Sequence, residues 1–292
     1  MNAKKVSIAL ATYNGQKYLE DLLASLVEQS YPIYEIIVCD DISDDNSIKI
    51  LNKYKLHLPI KIYVNEKKLG VIKNFQRAIS LCTGDWVACC DQDDVWMSNK
   101  LEISVNALNT LDESKPALVF SDLTVTDKDL VVITNSYWKM ININPLQTSL
   151  YSLLFGNIVT GCTMLMNKPM CIEMIYIPEE AIMHDYWAAC IAFTYRNYKV
   201  IPQPTIFYRQ HGNNVTTNTT VTIYSRFLNL IKSLNGEFSN YLNPELKQAK
   251  VFYYKYNSIM SLEQKEDLEK FLRLKRIYPT IRKIFKYYFL IK

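Results

Sequence analysis

The chain has 292 residues, 49% apolar and 21% charged, with a formal net charge of +4. That balance is ordinary for a globular protein and excludes disorder, collagen or a low-complexity fibre as a description of the whole. The length allows one large unit or two smaller ones, burying roughly 75% of the unfolded chain's surface.

The first 120 residues alternate between two hydrophobic periods. Residues 6–11 form a short apolar run, read as a buried strand. Residues 17–29 repeat Leu19, Leu22, Leu23 and Leu26 at helical spacing. A second strand is expected at 35–39, a helix at 45–54 with Asp45 as its N-cap, and a third strand at 60–64. A helix over 71–81 turns Ile72, Phe75 and Ile79 inward, and 86–90 is a fourth strand. This order implies a mostly parallel, Rossmann-like α/β sheet flanked by helices. Ligands of such sheets bind beyond the carboxyl ends of the strands. Polar clusters stand at those ends: Thr12-Tyr13-Asn14, Asp40-Asp41, Asn65 and Asp91-Gln92-Asp93-Asp94.

After Pro116 the alternation weakens. Strands are expected at 117–121 and 131–134, and helices at 147–155 and 181–193. Residues 200–208 read as one or two short strands interrupted by prolines, and 210–222 are polar. Beyond them the pattern is helical, at about 223–235, 244–259, 261–276 and 279–290. A boundary near 215 divides a sheet domain, 1–215, from a helical C-terminal region, 216–292.

Carboxylates two apart on a turn, as in Asp91-Gln92-Asp93, can share a hard divalent cation that also grips phosphate oxygens. Without a cation they raise each other's pKa. The bland alternative is an acidic turn in which Asp94 caps a helix starting near Met97. Asp40 and Asp41 suit the hydroxyl and N–H donors of a nucleoside, or Asx-turn chemistry through Ser43 and Asp45. His184-Asp185 opens an apolar helix. Arg209 and His211 flank a Gly/Asn loop suited to a metal-bound phosphate. The chain has seven glycines and neither a G-x-G-x-x-G nor a P-loop, so diphosphate recognition falls to metal and side chains. No D-x-D-x-Thr/Val follows the first strand, which argues against an aspartyl phosphatase.

In this order, Ala11-Thr12-Tyr13-Asn14, Val38-Cys39-Asp40-Asp41, Gly70 with Asn74, and Asp91-Gln92-Asp93-Asp94-x-Trp96 resemble family 2 glycosyltransferases of GT-A fold. His184-Asp185-Tyr186-Trp187 and Tyr208-Arg209-Gln210-His211-Gly212 resemble their bacterial rhamnosyltransferase branch. The resemblance covers about 4–215. It implies inverting transfer of one sugar from a nucleoside diphosphate donor. Asp91, Asp93 and His211 would hold Mg²⁺ or Mn²⁺, and Asp185 would be the general base. Thr12, Tyr13, Asn14, Asp40, Asp41, Asn74, Asp91, Gln92 and Arg209 would bind the donor. Trp96, His184 and Trp187 would bind the acceptor. Many members carry Ala-Arg-Asn where this chain has Lys73-Asn74-Phe75, which favours dTDP-L-rhamnose; a UDP-hexose or UDP-N-acetylhexosamine is the alternative. The basic signature of processive synthases is absent, so a single addition is expected. A non-catalytic, membrane-associated sugar-nucleotide binder is the alternative from another class.

From Lys270 to Lys292 there are eight basic residues and no acidic one; the other 25 face all 29 acidic residues. Basic residues alternate there with Phe, Tyr, Ile and Leu, as in a segment lying on an anionic membrane surface. A lipid-linked saccharide acceptor would explain such docking. Seven cysteines in apolar surroundings, no zinc spacing, no apolar leader and no 20-residue apolar span suggest a cytoplasmic protein, peripheral on the inner face of the cell membrane. No nucleic-acid partner is expected.

Overall fold

The computed structural model describes residues 3–212 and 242–274. The expected helices at 223–235 and 279–290, and most of the basic tail, lie outside them.

The elements run β1 (Val6–Thr12), α1 (Leu19–Val27), β2 (Ile33–Asp40), α2 (Ser47–Tyr54), β3 (Ile60–Val64), α3 (Val71–Leu81) and β4 (Trp86–Asp91). Then come β5 (Val95–Trp96), α4 (Lys100–Leu108), β6 (Leu118–Thr126), β7 (Val132–Thr134), α5 (Tyr137–Met140), α6 (Leu150–Leu153), β8 (Leu165–Asn167) and α7 (Lys168–Met174). Last are α8 (His184–Tyr195), β9 (Tyr198–Arg209), α9 (Asn243–Tyr256) and α10 (Leu262–Arg273). The described strands form one sheet in the order β3-β2-β1-β4-β8-β6-β9-β5, with β7 on β6. β3, β2, β1 and β4 are parallel, whereas β8 is antiparallel to both its neighbours.

Alternate residues of the central strands enter opposite faces. Ala9, Cys39 and Cys89 join one apolar cluster, and Ile8, Leu10, Val38, Ala88 and Cys90 the other. All seven cysteines are buried and free, as small core residues. The described C-terminal helices enter the first cluster: Phe252 meets Trp187 edge-on at 5.1 Å, and Phe271 meets Phe155 at 4.9 Å.

The strand ends are set by register. Ala11 pairs with Asp91, and Thr12 with Asp40. The polar residues that follow β1, β2 and β4 therefore emerge together at one edge.

Differences from the sequence reading follow from tertiary packing. The expected helix at 147–155 is broken into a 3₁₀ turn, Pro145–Gln147, and the short α6, which starts at a capping box between Ser149 and Ser152. The proline-interrupted strands are one 12-residue strand, β9, whose register against β6 shifts beside Pro204. Asp45 precedes α2 without being its N-cap; its carboxylate accepts from Ser47 N at 2.8 Å and Gln16 N at 2.9 Å, tying the β2–α2 loop to the β1–α1 loop. β8 and α7 are too short to leave a periodic signal.

Glu35 on β2 is buried yet charged. It accepts from Ser7 Oγ, Thr83 N and Thr83 Oγ1 and pairs with Lys61 at 2.8 Å. Burial alone would raise its pKa, but Lys61, Thr83 and Ser7 outweigh it and lower the value from 4.5 to about 2. A carboxylate lowered in the folded state contributes stability above its unfolded pKa and loses it as pH falls. Urea midpoints should therefore fall between about pH 4.5 and about 2. Glu35→Gln should be less stable at neutral pH and show a flatter dependence across that window.

Candidate active site

A cleft of about 790 Å³ opens at the carboxyl ends of β1, β2 and β4. Its lining comes from the ends of these strands, the start of α8 and the end of β9.

Asp91 and Asp93 stand at the end of β4, and both line the cleft. Burial, with Asp93 and Asp185 nearby, pushes the Asp91 pKa up to about 8. His211 Nε2 lies 2.8 Å from Asp93 Oδ2, and its ring stacks on Tyr18 with centroids 4.7 Å apart. Asp93 and His211 offer hard oxygen and imidazole donors suited to Mg²⁺ or Mn²⁺, whereas the groups among the described residues within 4.8 Å of the Asp91 carboxyl that could share a metal with it are Asp94 and the Cys162 thiol. The positive charge would reverse the upward pKa shift of Asp91. Asp94 does not cap a helix. It is fully buried, accepts from Arg209 N at 3.1 Å, and α4 begins only at Lys100.

Asp40 and Asp41, adjacent in sequence, do different work. Asp40 is fully buried and accepts from Thr12 Oγ1 at 2.9 Å, Ser43 N at 2.8 Å and Ser43 Oγ at 2.6 Å. Its carboxylate is consumed by the loop and is not available to a donor. Asp41 lines the cleft and is held by Asn65 Nδ2 and Leu69 N, each at 2.7 Å, and Gly70 N at 2.9 Å. Burial would raise its pKa; the bonds from Leu69, Asn65 and Gly70 prevail and lower it. It is a fixed anion at the cleft wall. Tyr13 is 42% exposed at the rim, with Lys68 Nζ 4.1 Å above its ring.

Gln92, Asn14 and Asn74 line the cleft and also tie its loops together, while Arg209 stands behind it. The Gln92 amide accepts from Tyr13 N at 2.8 Å and donates to Tyr13 O at 2.9 Å, clamping the β1 loop to the β4 turn. Asn14 takes a left-handed φ of 48° and accepts from Asp44 N at 3.0 Å. Asn74 donates to Cys39 O at 2.8 Å. Arg209 is 3% exposed; it donates to Asp93 O and Lys128 O, each at 3.0 Å, and pairs with Asp21 at 2.8 Å. It locks the Asp93 turn to β9 and α1 instead of reaching out to phosphate.

Asp185, in the first turn of α8, faces the same cleft. Its oxygens accept from Tyr186 N at 2.6 Å and Gly161 N at 3.0 Å. Burial dominates these bonds and raises its pKa to about 7. A carboxylate held in this way can take a proton near neutral pH. Its neighbour His184 is 3% exposed and stacked on Phe75 at 4.1 Å, with burial holding its pKa down at about 3. The two nitrogens of its ring have no hydrogen-bond partner among the described residues, and the ring also lines the cleft.

Two expected acceptor contacts are in the core. Trp96 is 2% exposed, with Lys100 Nζ 3.8 Å over its ring. Trp187 is fully buried between α8 and α9. The helix α8 is buried nearly all round, so its aromatic residues pack inward.

Sequence reasoning missed Gly161, Tyr18, Met183 and Lys128 as cleft residues. Gly161, Tyr18 and Met183 stand at no strand end, and Lys128 follows β6, whose carboxyl end at Thr126 lies beyond the strand expected at 117–121.

The fold and cleft together define a glycosyltransferase of GT-A type, and comparison with known proteins agrees. Residues 7–170 match the family model described as Glycosyl transferase family 2, and the chain belongs to that family. It is 29% identical over 220 residues to the dTDP-rhamnosyl transferase RfbG of Shigella flexneri, covering 70% of this chain and 72% of that one. It is 27% identical over 262 residues to the UDP-Glc:alpha-D-GlcNAc-diphosphoundecaprenol beta-1,3-glucosyltransferase WfaP of Escherichia coli, covering 87% and 94%. Among solved structures, S. aureus TarS 1-349 in complex with UDP-GlcNAc has the same fold, with a TM-score of 0.59 at 18% identity over 90% of this chain and 78% of that one.

Gly161 leaves no room for a side chain: a Cβ there would sit 2.7 Å from His184 Nε2 and 3.7 Å from Asp185 Cβ. Gly161→Ala should push the His184 ring aside, and through it the adjoining Asp185, whose own contact with the new Cβ would be an ordinary one. Transfer should drop by about tenfold or more, on the scale of a misplaced catalytic group, while circular dichroism stays near wild type. Unchanged transfer would show that Asp185 tolerates the displacement.

Proposed function

We propose that this family 2 glycosyltransferase moves one sugar from a nucleoside diphosphate donor to a saccharide hydroxyl, with inversion at the anomeric carbon. The reading rests on one observation: Asp185 faces the same cleft as Asp91, Asp93 and His211. A proton acceptor and a cation-suited diphosphate site thus share one chamber.

Asp41 and Tyr13 would line the nucleoside end. Asp91, Asp93 and His211 would hold Mg²⁺ or Mn²⁺, which when bound neutralises the departing diphosphate. Asp185 would accept the proton of the acceptor hydroxyl as its oxygen attacks the anomeric carbon. The new C–O bond forms opposite the breaking one, through an oxocarbenium-like transition state. Tyr186 N and Gly161 N would keep the Asp185 carboxylate aimed throughout.

The donor is proposed to be dTDP-L-rhamnose. The name of RfbG supports it. The name of WfaP favours a second reading, a UDP-hexose, and also supports a lipid-linked acceptor of the kind used in surface polysaccharide synthesis. Among the described residues no helix is long and apolar enough to cross a membrane.

Asp185→Asn should leave donor affinity near wild type and cut transfer by about 10²-fold or more, the usual scale of a general base. Radiolabelled-sugar transfer and calorimetry on the same preparation check both halves. Near-normal transfer would remove Asp185 from the role. Nucleotide binding without transfer in either protein would favour the non-catalytic binder.

A further inference from the structure

One oxygen of Asp94 is unexplained by the packing around it. The residue is fully buried, and its Oδ1 accepts from Arg209 N at 3.1 Å. Its Oδ2 has no hydrogen-bond partner among the described residues. A buried carboxyl oxygen left in this way is costly unless another group meets it. Lys100 does not: its Nζ is itself without a hydrogen-bond partner and lies 3.8 Å over the Trp96 ring.

A thiol stands there instead. An oxygen of Asp91, an oxygen of Asp94 and Cys162 Sγ all lie within 4.8 Å of one another. Asp91 is the last residue of β4, and Asp94 belongs to the turn that follows. Cys162 comes from the 3₁₀ turn Gly161–Thr163, just before β8, which pairs antiparallel with β4. Asp94 and Cys162 are fully buried, whereas Asp91 lines the cleft and is the side open to an incoming ion. Zinc holds thiolate and carboxylate atoms at about 2.0–2.3 Å, so a modest closing of these side chains brings all three onto one ion.

The donors differ from those of Asp93 and His211. Sulfur favours Zn²⁺ and Cd²⁺ over Mg²⁺ and Mn²⁺, and for like ligands Zn²⁺ is held more tightly than Mn²⁺. We propose that Asp91, Asp94 and Cys162 form a second cation site, selective for Zn²⁺ and other thiophilic ions, which excludes the catalytic cation by taking Asp91 from it. The site itself stands on its own geometry; only the exclusion rests on the transferase reading above. As the sulfur–metal bond forms, the Cys162 S–H bond breaks and its proton passes to water. The neighbouring residue in the same turn is Gly161, whose N–H donates to Asp185 at 3.0 Å, so an ion on Cys162 also bears on the turn that holds the proposed base.

The probe is Cd²⁺, whose bond to a thiolate absorbs in the ultraviolet. It is titrated into the full chain, kept reduced, in buffer free of other divalent ions. A charge-transfer band should saturate at one ion per chain. It should vanish in Cys162→Ala and persist in Cys90→Ala, the control at another buried thiol. Asp94→Asn should weaken the affinity by about tenfold or more. Zn²⁺ should displace the Cd²⁺, and Mg²⁺ should not. Should Cys162→Ala fail to fold, ¹¹³Cd NMR of the unaltered chain separates sulfur from all-oxygen ligation. No band, a band lost in Cys90→Ala instead, or an all-oxygen shift would overturn the site.

The exclusion has its own readout. One equivalent of Zn²⁺ should block Mn²⁺-dependent binding of UDP or dTDP to the wild type, and Cys162→Ala should resist the block. Nucleotide binding that survives Zn²⁺ in the wild type would overturn the exclusion. Failure of both nucleotides to bind with Mn²⁺ alone would sink the transferase reading and the exclusion with it, while the cadmium band still decides the site.

Discussion

Everything at the site depends on unlike fates for carboxylates gathered at one edge of a parallel sheet. Register brings Asp91 beside Ala11 and Asp40 beside Thr12, at strand ends that are largely shielded from water. Like charges in such a place raise each other's pKa unless donors or cations intervene. Around Asp40 and Asp41 the protein supplies its own donors: Thr12, Ser43, Asn65 and the amides of Leu69 and Gly70. Around Asp91 it does not, and burial pushes that carboxyl up to about 8. The first pair needs nothing further, whereas the second would be relieved by the divalent cation proposed for it. That contrast separates scaffold from site more cleanly than the acidic residues' positions in the sequence do.

The supporting shell explains why the turn can hold a strained charge distribution. Arg209 reaches the Asp93 carbonyl, Lys128 and Asp21 at once, while its own amide donates to Asp94. Gln92 ties the same turn to Tyr13. Gln92 and Arg209 thereby hold in place the turn that carries Asp91 and Asp93. Precise placement of this kind is what positioning in catalysis requires.

The parallel half of the fold was legible because its helices and strands have strong, different periods: 71–81 was expected as a helix and α3 is Val71–Leu81. The polar residues at the strand ends could then be placed at one edge by topology alone. The second half was not, because its elements are short and its strands mix directions. β8 has three residues, and the turn at Gly161–Thr163 that aims Asp185 leaves no periodic trace. Residue type also misled at Trp96, Trp187 and Arg209, which are buried and serve packing or positioning. In isolation a Trp after an acidic turn, or an Arg before a His-Gly loop, has the composition of a ligand contact; only the packing of β5, α8 and β9 shows where each side chain is used.

The oxygens of Asp91 and Asp93, with His211, are proposed to engage a nucleoside diphosphate through a divalent cation. Calorimetric titration of dTDP and of UDP into the protein, each with Mn²⁺ and again with EDTA, tests it most directly. The account predicts saturable binding with Mn²⁺ that is lost in EDTA, whichever nucleotide is preferred. Equal affinity with and without the cation would contradict it.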